Sequence, residues 1–163
     1  MAFILLAGLA SAQLPNYIGY VNDFAGVLGQ DARIIENNIA YISDKTTAEI
    51  AVVTIPELPE NYDTLTYGIE LFEKWGIGKA DRDNGILILL SIKEKKWRIE
   101  VGYGLEPIIN DAKAGRIGRE YIEPAFESGN YSAGVNDAVI VIGQEIICLL
   151  YTSPSPRDRT RPR

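Results

Sequence analysis

Apolar residues recur along this chain with two different periods, which predicts alternating helices and strands. Between residues 30 and 46, isoleucines return every three or four positions with polar residues between them, and this spacing is typical of an amphipathic helix. The run EIAVVTIP at 49–56 is apolar and β-branched and ends at a proline, which predicts a buried strand. A shorter strand is expected around 18–21, where Asn22 and Asp23 would end it. The isoleucines of the predicted helix are Ile35, Ile39 and Ile42.

Three further helices are predicted from caps and apolar spacing. One lies between Asp63, a suitable N-cap, and Gly76, a common helix terminator. Another would be capped by Asp111 and ended by Pro124, and the last would be capped by Ser132. The apolar stripe expected to face the core on the first of these is Leu65, Ile69, Phe72 and Trp75. The stripe expected on the last is Val135, Val139, Ile142 and Ile146.

The stretch at 83–106 predicts the most buried hairpin of the chain. Residues 86–90 are apolar on both faces, as in a central strand, whereas residues 97–101 alternate apolar and charged side chains, as in a half-buried strand. Because the connection IKEKK is short, we expect the two strands to pair antiparallel. The whole pattern therefore predicts a layered α/β domain, with helices on both faces of a small mixed sheet.

The two ends of the chain differ in composition from the middle. Residues 1–12 form an apolar run that ends in Ala-Ser-Ala, so we interpret them as a partial signal peptide; the alternative is an apolar start without structure. Residues 148–163 contain three prolines and four arginines, which predicts a disordered tail that we interpret as a sequence artefact. The alternative for this tail is a basic arm for anionic lipid. The predicted domain is therefore 15–147.

Composition narrows the chemistry that this domain can carry out. The 163 residues contain no histidine and one cysteine, which excludes histidine-dependent nucleophiles, histidine acid-base catalysis and most zinc sites. The net charge is -6, and four arginines lie in the predicted tail, so the domain itself is more acidic than the whole chain. An acidic domain does not suit the phosphate backbone, and we expect no nucleic-acid partner. Carboxylates are the groups left for catalysis or for binding a hard cation.

Antiparallel pairing of the hairpin would bring acidic residues from its two ends together. The start of the first strand and the end of the second then lie at the same sheet edge. This places Asp83 and Asn84 beside Tyr103, Glu106 and Asp111. Several oxygen ligands at one edge are what Ca²⁺ or Mg²⁺ requires, so the sequence predicts a divalent-cation site with Ca²⁺ or Mg²⁺ as the cofactor.

Neighbouring residues allow two interpretations of this edge. Gly102 and Gly104 would let the backbone approach a bound ion closely, which favours the cation site. Alternatively, each acidic residue has an ordinary structural role. These roles are turn formation before the first strand, a helix cap for Asp111 and solvation for Glu106.

Four blocks of the sequence resemble, in order, motifs of the TPM domain family, which includes the thylakoid lumen acid phosphatase. The resemblance covers roughly residues 15–147, and the combination of NGILIL with RIEVGYGLE is its most specific part. The blocks are VNDFAGVL at 21–28, RDNGILILLSIKEKKWRIEVGYGLE at 82–106, NDAKAGRI at 110–117 and IEPAFESGNYSAGV at 122–135.

The resemblance implies an αβα sandwich of Rossmann-like shape in a protein exported to the periplasm, the extracellular space or an organelle lumen, and often tethered to a membrane. Members include phosphatases, cation-binding proteins, proteins that assist photosystem II repair and modulators of a membrane receptor, so membership alone does not fix the activity. Four acidic positions of the family fall on Asp23, Asp83, Glu106 and Asp111. With Asn84 these are the expected metal ligands, and Asp83 and Glu106 are the expected catalytic residues.

Two functions remain open at this point. The first is a divalent-cation-dependent acid phosphatase acting on phosphomonoesters, with the cation neutralising the phosphate. Its difficulty is positive charge, since Arg82 is the one arginine in the acidic loops and Arg116 would have to reach in from a helix. The second is a non-catalytic Ca²⁺- or Mg²⁺-binding module that assists the assembly, repair or modulation of a membrane-protein partner. Asp23 is a difficulty for either, because a parallel first strand would place it at the opposite sheet edge.

Overall fold

The sheet in this computed structural model is built around one strand, β3 (Gly85–Ser91), whose seven residues are all buried. The structure describes residues 14–152. Within them, β1 (Val21–Asp23), β2 (Glu49–Ile55), β3 and β4 (Lys96–Val101) lie side by side in that order. The first two pairings are parallel, and β3 pairs antiparallel with β4. The predicted mixed sheet and the predicted antiparallel hairpin are therefore confirmed.

Helices cover both faces of this sheet. One face carries α1 (Ala32–Thr46), α3 (Asp111–Ile117), α4 (Glu123–Ser128) and α5 (Tyr131–Thr152), whose apolar side chains pack against alternate residues of β3. The other face carries α2 (Thr64–Trp75), which packs against the remaining residues of β3. Successive side chains of a strand point to opposite faces, which is why β3 had to be apolar throughout. The predicted αβα sandwich is confirmed.

Helix α2 begins and ends as predicted but buries a different face. The Asp63 carboxylate accepts a hydrogen bond from the backbone N–H of Thr66 at 2.7 Å, and Gly76 ends the helix in a left-handed conformation. The buried residues are Tyr67, Gly68 and Leu71. The expectation that Leu65 and Ile69 face the core was wrong, since they are 44% and 41% exposed.

Close packing on β4 explains why α2 is turned this way. A Cβ atom placed on Gly68 would lie 3.4 Å from Cγ of Arg98 and 3.6 Å from Cγ of Glu100. The helix can therefore approach the sheet most closely on the side of its glycine. This turns Leu65 and Ile69 towards the open edge of the sheet, where they take part in the groove described below.

The first strand also begins later than predicted. The side chain of Asn22 accepts a hydrogen bond from the backbone N–H of Ile18 at 2.9 Å and donates to the carbonyl of Gly19 at 2.7 Å. These contacts fold residues 18–22 into a turn, so β1 covers Val21–Asp23 instead of residues 18–21.

Three predicted helix boundaries around α3 to α5 were wrong. The N-cap of α3 is Asn110, whose side chain accepts from Lys113 N–H at 3.0 Å, and Asp111 is the first helical residue. The chain continues from α3 through a π-helical turn, Gly118–Ile122, into α4. Pro124 lies in the first turn of α4, where no intrahelical donor is needed, so it does not end a helix there.

The start of the last helix differs in the same way. Helix α5 begins at Tyr131, and the side chain of Asn130 accepts from the backbone N–H of Ala133 at 3.3 Å. The hydroxyl of Ser132 instead donates to the Asp31 carboxylate at 2.8 Å. Ser132 therefore joins α5 to the start of α1 and does not cap α5.

The predicted domain ends fall partly outside the described residues. Helix α5 extends to Thr152, so residues 148–152, predicted to be disordered, are helical. Residues 1–12 and 153–163 lie outside the described residues, and the signal peptide and the rest of the tail stay predictions. Over Tyr131–Leu149, α5 is long and apolar enough to cross a membrane by length and composition, but buried core helices pass the same test.

Candidate functional site

The two ends of the β3–β4 hairpin are held side by side by backbone hydrogen bonds. Gly102 N–H donates to the carbonyl of Gly85 at 2.8 Å, and Gly104 N–H donates to the carbonyl of Asp83 at 3.0 Å. The residues that precede β3 therefore lie directly against those that follow β4. This is the juxtaposition that the sequence predicted from antiparallel pairing.

Two glycines make this approach possible. A Cβ atom on Gly102 would lie 2.2 Å from the carbonyl oxygen of Asp83, and one on Gly104 would lie 1.9 Å from that of Arg82. Both distances are too short for any side chain. The backbone of residues 82 and 83 is what fills the space beside these glycines, and the expectation that they let the backbone approach an ion stays a prediction.

Asp83 is held in place by its own backbone. Its φ angle is +47°, in the left-handed region that aspartate and asparagine tolerate better than most residues. Its N–H donates to the carbonyl of Lys79 at 2.8 Å, and its carbonyl accepts from Gly104. With both backbone groups bonded, the carboxylate is left to line a cleft between α2, β4 and the loop that follows β4.

Asn84 turns its side chain the other way. The residue is 6% exposed, and its amide oxygen accepts from Lys79 N–H at 2.9 Å. Its amide nitrogen donates to the carbonyl of Thr47 at 2.8 Å. The amide oxygen thus closes the loop before β3, the amide nitrogen ties that loop to the chain before β2, and Asn84 is not among the residues that line the cleft.

Glu106 and Asp111 are positioned by a loop with two buried anchors. Leu105 and Ile109 are 5% and 0% exposed, and the N–H of Ile109 donates to the carbonyl of Leu105 at 2.8 Å. Glu106, which follows the first anchor, lines the cleft. Asn110 caps α3, which brings Asp111 in the first helical turn to the same cleft.

The cleft has a volume of about 520 Å³ and combines acidic and apolar walls. No lysine or arginine lines it within the described part of the chain. The acidic residues that line it are Glu73, Asp83, Glu100, Glu106 and Asp111. The apolar and aromatic residues that line it are Ile69, Phe72, Ile77, Val101 and Tyr103.

One of these acids, Glu100, is paired with an arginine, and three others have no such partner. The Arg98 guanidinium donates to Glu100 from Nε at 2.5 Å and from Nη2 at 3.3 Å. This hydrogen bonding, with the charge of Asp111 adding to it, raises the pKa of Arg98. Among residues 14–152, the carboxylates of Glu73, Asp83 and Glu106 accept no hydrogen bond and form no ion pair. The cleft therefore carries uncompensated negative charge.

Asp23 is not brought to this cleft. Because β1, β2 and β3 are parallel, the end of β1 lies at the opposite sheet edge from the start of β3, where Asp83 is. Its Oδ1 accepts from the Thr54 hydroxyl at 2.5 Å and from Val27 N–H at 3.1 Å, and its Oδ2 accepts from Leu28 N–H at 2.9 Å. Asp23 thus shapes the turn after β1, and the shared site expected from the resemblance does not include it.

The donor chemistry of the cleft suits a hard cation, but the geometry is open. Carboxylate oxygens are the ligands that Ca²⁺ and Mg²⁺ prefer. The described residues nevertheless contain no group of three or more acidic or cysteine side chains close enough together to hold an ion. Asp83, Glu106 and Asp111 line one cleft without forming a cage, so an ion bound there would keep much of its water, as Mg²⁺ commonly does.

Two acidic residues of the cleft were missed from the sequence. Glu73 lies on the wall that α2 contributes, and Glu100 lies on β4. The signal for Glu73 was its place on α2 four residues after Ile69, which was assigned to the core. Had that stripe been assigned to the open face, Glu73 would have been placed beside it.

Several known proteins are similar to this chain. A family model described as TPM domain matches residues 21–145. The solution NMR structure of the N-terminal domain of a protein from P. gingivalis has 30% sequence identity and a TM-score of 0.75, and the match covers 81% of this chain and 84% of that one. No curated protein is significantly similar to the chain.

Two more distant solution structures share the fold. The N-terminal domain of a Corynebacterium glutamicum protein has 16% identity and a TM-score of 0.65, and the match covers 89% of each chain. A protein from the psychrophilic bacterium Bizionia argentinensis has 19% identity and a TM-score of 0.60, over 72% of this chain and 79% of that one. At these identities the similarity is one of fold alone.

Proposed function

Because the chain belongs to the TPM domain family, we propose that it is a non-catalytic module that binds Ca²⁺ or Mg²⁺ at its acidic cleft and presents the surrounding surface to a membrane-protein partner. The observation that carries the proposal is the charge of the cleft, which is lined by five carboxylates and, within the described residues, by no lysine or arginine. Like charges held together are relieved most directly by a cation.

The ligands proposed for this cation are Asp83, Glu106 and Asp111. Their separation across an open cleft favours a hydrated ion held by one or two carboxylates at a time. Such a site binds weakly, with a dissociation constant on the order of 0.1–1 mM, as in extracellular calcium modules. This affinity suits a compartment rich in divalent cations, and we propose that the domain works outside the cytoplasm, as the leader-like residues 1–12 also favour.

Calorimetric titration of Ca²⁺ and Mg²⁺ into the protein tests the site. We predict that Asp83→Asn weakens binding roughly tenfold or more, because a charged ligand is lost. Asparagine tolerates the left-handed backbone of this position, so the change removes charge without adding backbone strain.

Asp81→Asn is the matched control. Asp81 lies two residues away, has an ion pair with Arg82 at 3.6 Å and does not line the cleft. Its loss should leave the affinity unchanged. Equal weakening by both substitutions would mean that the affinity depends only on the overall charge of the domain. If titration into the wild-type protein gives no heat of binding, the proposed cation site is refuted.

A divalent-cation-dependent acid phosphatase is the second candidate. Asp83 and Glu106 both line one cleft, and neither carboxylate is engaged by a hydrogen bond among residues 14–152, so one could act as nucleophile or base and the other as acid. The obstacle is that no arginine or lysine of the described residues lines the cleft to receive a phosphate dianion. Any hydrolysis would therefore depend on the cation to offset the repulsion.

Hydrolysis of an aryl phosphate separates the two candidates. If the domain is a phosphatase, we predict turnover that stops on chelation, because the phosphate dianion would then be repelled by the acids of the cleft. Glu106→Gln should lower turnover at least about a hundredfold, the usual scale of general acid-base catalysis, while the protein stays folded. If the protein binds the cation but hydrolyses the aryl phosphate no faster than buffer alone, the phosphatase is excluded and the binding module is supported.

A further inference from the structure

The outer edge of β4 exposes a row of backbone groups with no partner strand. Gly102 donates to Gly85, and hydrogen-bonded pairs alternate along an antiparallel ladder, so Lys96, Arg98 and Glu100 direct their backbone groups towards β3. The backbone groups of the residues between them point away from the sheet. No hydrogen bond to these groups occurs among residues 14–152. The residues concerned are Trp97, Ile99 and Val101.

This edge lies in a groove between two helices. A depression of about 220 Å³ lies along Trp97, Arg98 and Ile99, and Asp111 lines both this depression and the acidic cleft. We call the two depressions together the groove beside β4. Helix α2 forms one wall and α3 the other. The wall residues nearest the strand are Thr64, Leu65, Asp111, Ala114 and Gly115.

The position of the edge makes its unpaired groups costly. The residue at the middle of this edge, Ile99, is 5% exposed, so its side chain is buried although its N–H and carbonyl have no partner strand. Buried backbone groups without a partner are rare in folded proteins because they lose hydration without gaining a hydrogen bond. Proteins normally block or cover a sheet edge that could pair with another chain. Here the edge is left as the floor of a groove, which favours an added strand.

We propose that this groove receives an extended basic segment of a partner protein, which pairs with β4 as a fifth strand. In this mode the ladder hydrogen bonds give affinity and the flanking pockets select side chains. The exposed apolar side chains of Leu65 and Ile69 would cover the apolar residues of the segment, and the acids of the cleft would pair with its lysines or arginines. The proposal rests on the proposed function only in that the domain acts as a binding module.

Charge decides between this occupant and a second copy of the chain. Pairing β4 with β4 of another molecule would bring two grooves together, each lined by Glu73 and Asp111. The body of the domain is acidic, so such a dimer would be opposed by repulsion across its centre. A basic segment meets the same groove with complementary charge.

The test uses a labelled ten-residue peptide of alternating lysine and valine, titrated into the full chain in the presence of chelator. Amide exchange is followed by NMR with and without peptide. We expect the N–H groups of Trp97, Ile99 and Val101 to exchange at least about tenfold more slowly when the peptide is bound, because each gains a hydrogen bond. The N–H groups of Arg98 and Glu100, already paired with β3, should change little and are the internal control.

Two variants probe the ladder and the charge separately. Val101→Pro removes an outward donor and leaves the pairing with β3 intact, since proline is tolerated at such edge positions, and should weaken peptide binding about tenfold. Val101→Ile, which keeps the donor, is its control. Glu73→Gln should weaken binding about threefold and reduce its salt dependence. If the proline variant does not fold, protection of the three outward amides in the wild-type protein still tests the ladder.

The outcomes separate this proposal from the metal site. Because chelator is present, loss of the metal site leaves the peptide result unaffected, and loss of peptide binding leaves the metal titration unaffected. Peptide binding without protection of the three amides would reduce the groove to an electrostatic surface and overturn strand addition. Protection that rises with protein concentration in the absence of peptide would identify a second copy as the occupant and overturn the basic partner. Equally strong binding of an alternating glutamate and valine peptide would show that the groove does not select positive charge, and it would also overturn the basic partner.

Discussion

At the scale of single residues, Gly104 has no room for a side chain beside the carbonyl oxygen of Arg82. Because a Cβ atom would lie 1.9 Å from that oxygen, Gly104→Ala must push the hairpin ends apart. We predict a loss of about 1–3 kcal/mol in the free energy of unfolding, the usual range for overpacking. Chemical denaturation measures it.

The control for this change is Gly19→Ala. A Cβ atom there would meet its nearest neighbour, Oε1 of Glu36, at 3.6 Å, which is an ordinary contact. Its stability should change by no more than about 0.5 kcal/mol. If Gly104→Ala were equally harmless, the hairpin ends would have room to separate, and the fixed position of Asp83 would lose its explanation.

Single residues also show where sequence reasoning ended. Asp83, Glu106 and Asp111 could be placed together because antiparallel pairing is a local inference from a short connection. Asn84 and Asp23 were assigned to the same site, but in the structure the side chains of both are engaged in hydrogen bonds elsewhere. Their partners include Thr47 and Thr54, which lie 37 and 31 residues away in the sequence. No local pattern reveals these partners at that separation, although the parallel order of the first strands already argued against Asp23.

At the scale of elements, the first turn of α3 offers a direct test of capping. Asn110 accepts from Lys113 N–H, whereas Asp111 caps nothing and faces the cleft. We predict that Asn110→Ala lowers the free energy of unfolding by about 1 kcal/mol, the typical value of an N-cap. Asp111→Asn should cost only a few tenths, through the helix dipole. If thermal or chemical denaturation shows that the two substitutions lower the free energy of unfolding equally, Asp111 contributes to the cap as much as Asn110 does.

The elements themselves were largely predictable, and their orientation was less so. Caps and periodicity located α1, α2 and both strands of the hairpin to within one or two residues. Periodicity alone did not decide which face of α2 is buried, since apolar side chains occur on two sides of that helix. The buried face is set by the close packing of Gly68 on β4, and this contact joins segments that are distant in the sequence.

At the scale of the whole molecule, the two faces of the sandwich differ in how well they are covered. Within the described residues α2 is the one helix on its face, and its buried residues are Tyr67, Gly68 and Leu71. Helices α1 and α5 pack against each other as well as on the sheet. Regions with fewer buried apolar contacts open at lower free energy.

We therefore predict that backbone amides of α2 exchange with solvent at least about tenfold faster than those in the middle of α1 and α5. Hydrogen exchange followed by mass spectrometry measures this, with β3 as the slowest reference. Uniform rates across all three helices would mean that the sandwich opens only as a unit. The overall architecture was predictable from the sequence because the spacing of apolar residues identifies alternating helices and strands, which form layers. The difference in coverage between the two sheet faces follows from tertiary packing, which that spacing does not show.

Trp97 connects the groove to a property that needs no added label. Its indole lies against Gly118 at the start of the π-helical turn, its Nε1 donates to Glu123 at 3.2 Å, and it lines the groove beside β4. The second tryptophan, Trp75, lies elsewhere, with its ring centroid 5.3 Å from that of Tyr17. The domain thus carries an intrinsic fluorophore where a strand would displace water. The wavelength of maximum fluorescence emission of Trp97 can therefore report whether the groove is occupied.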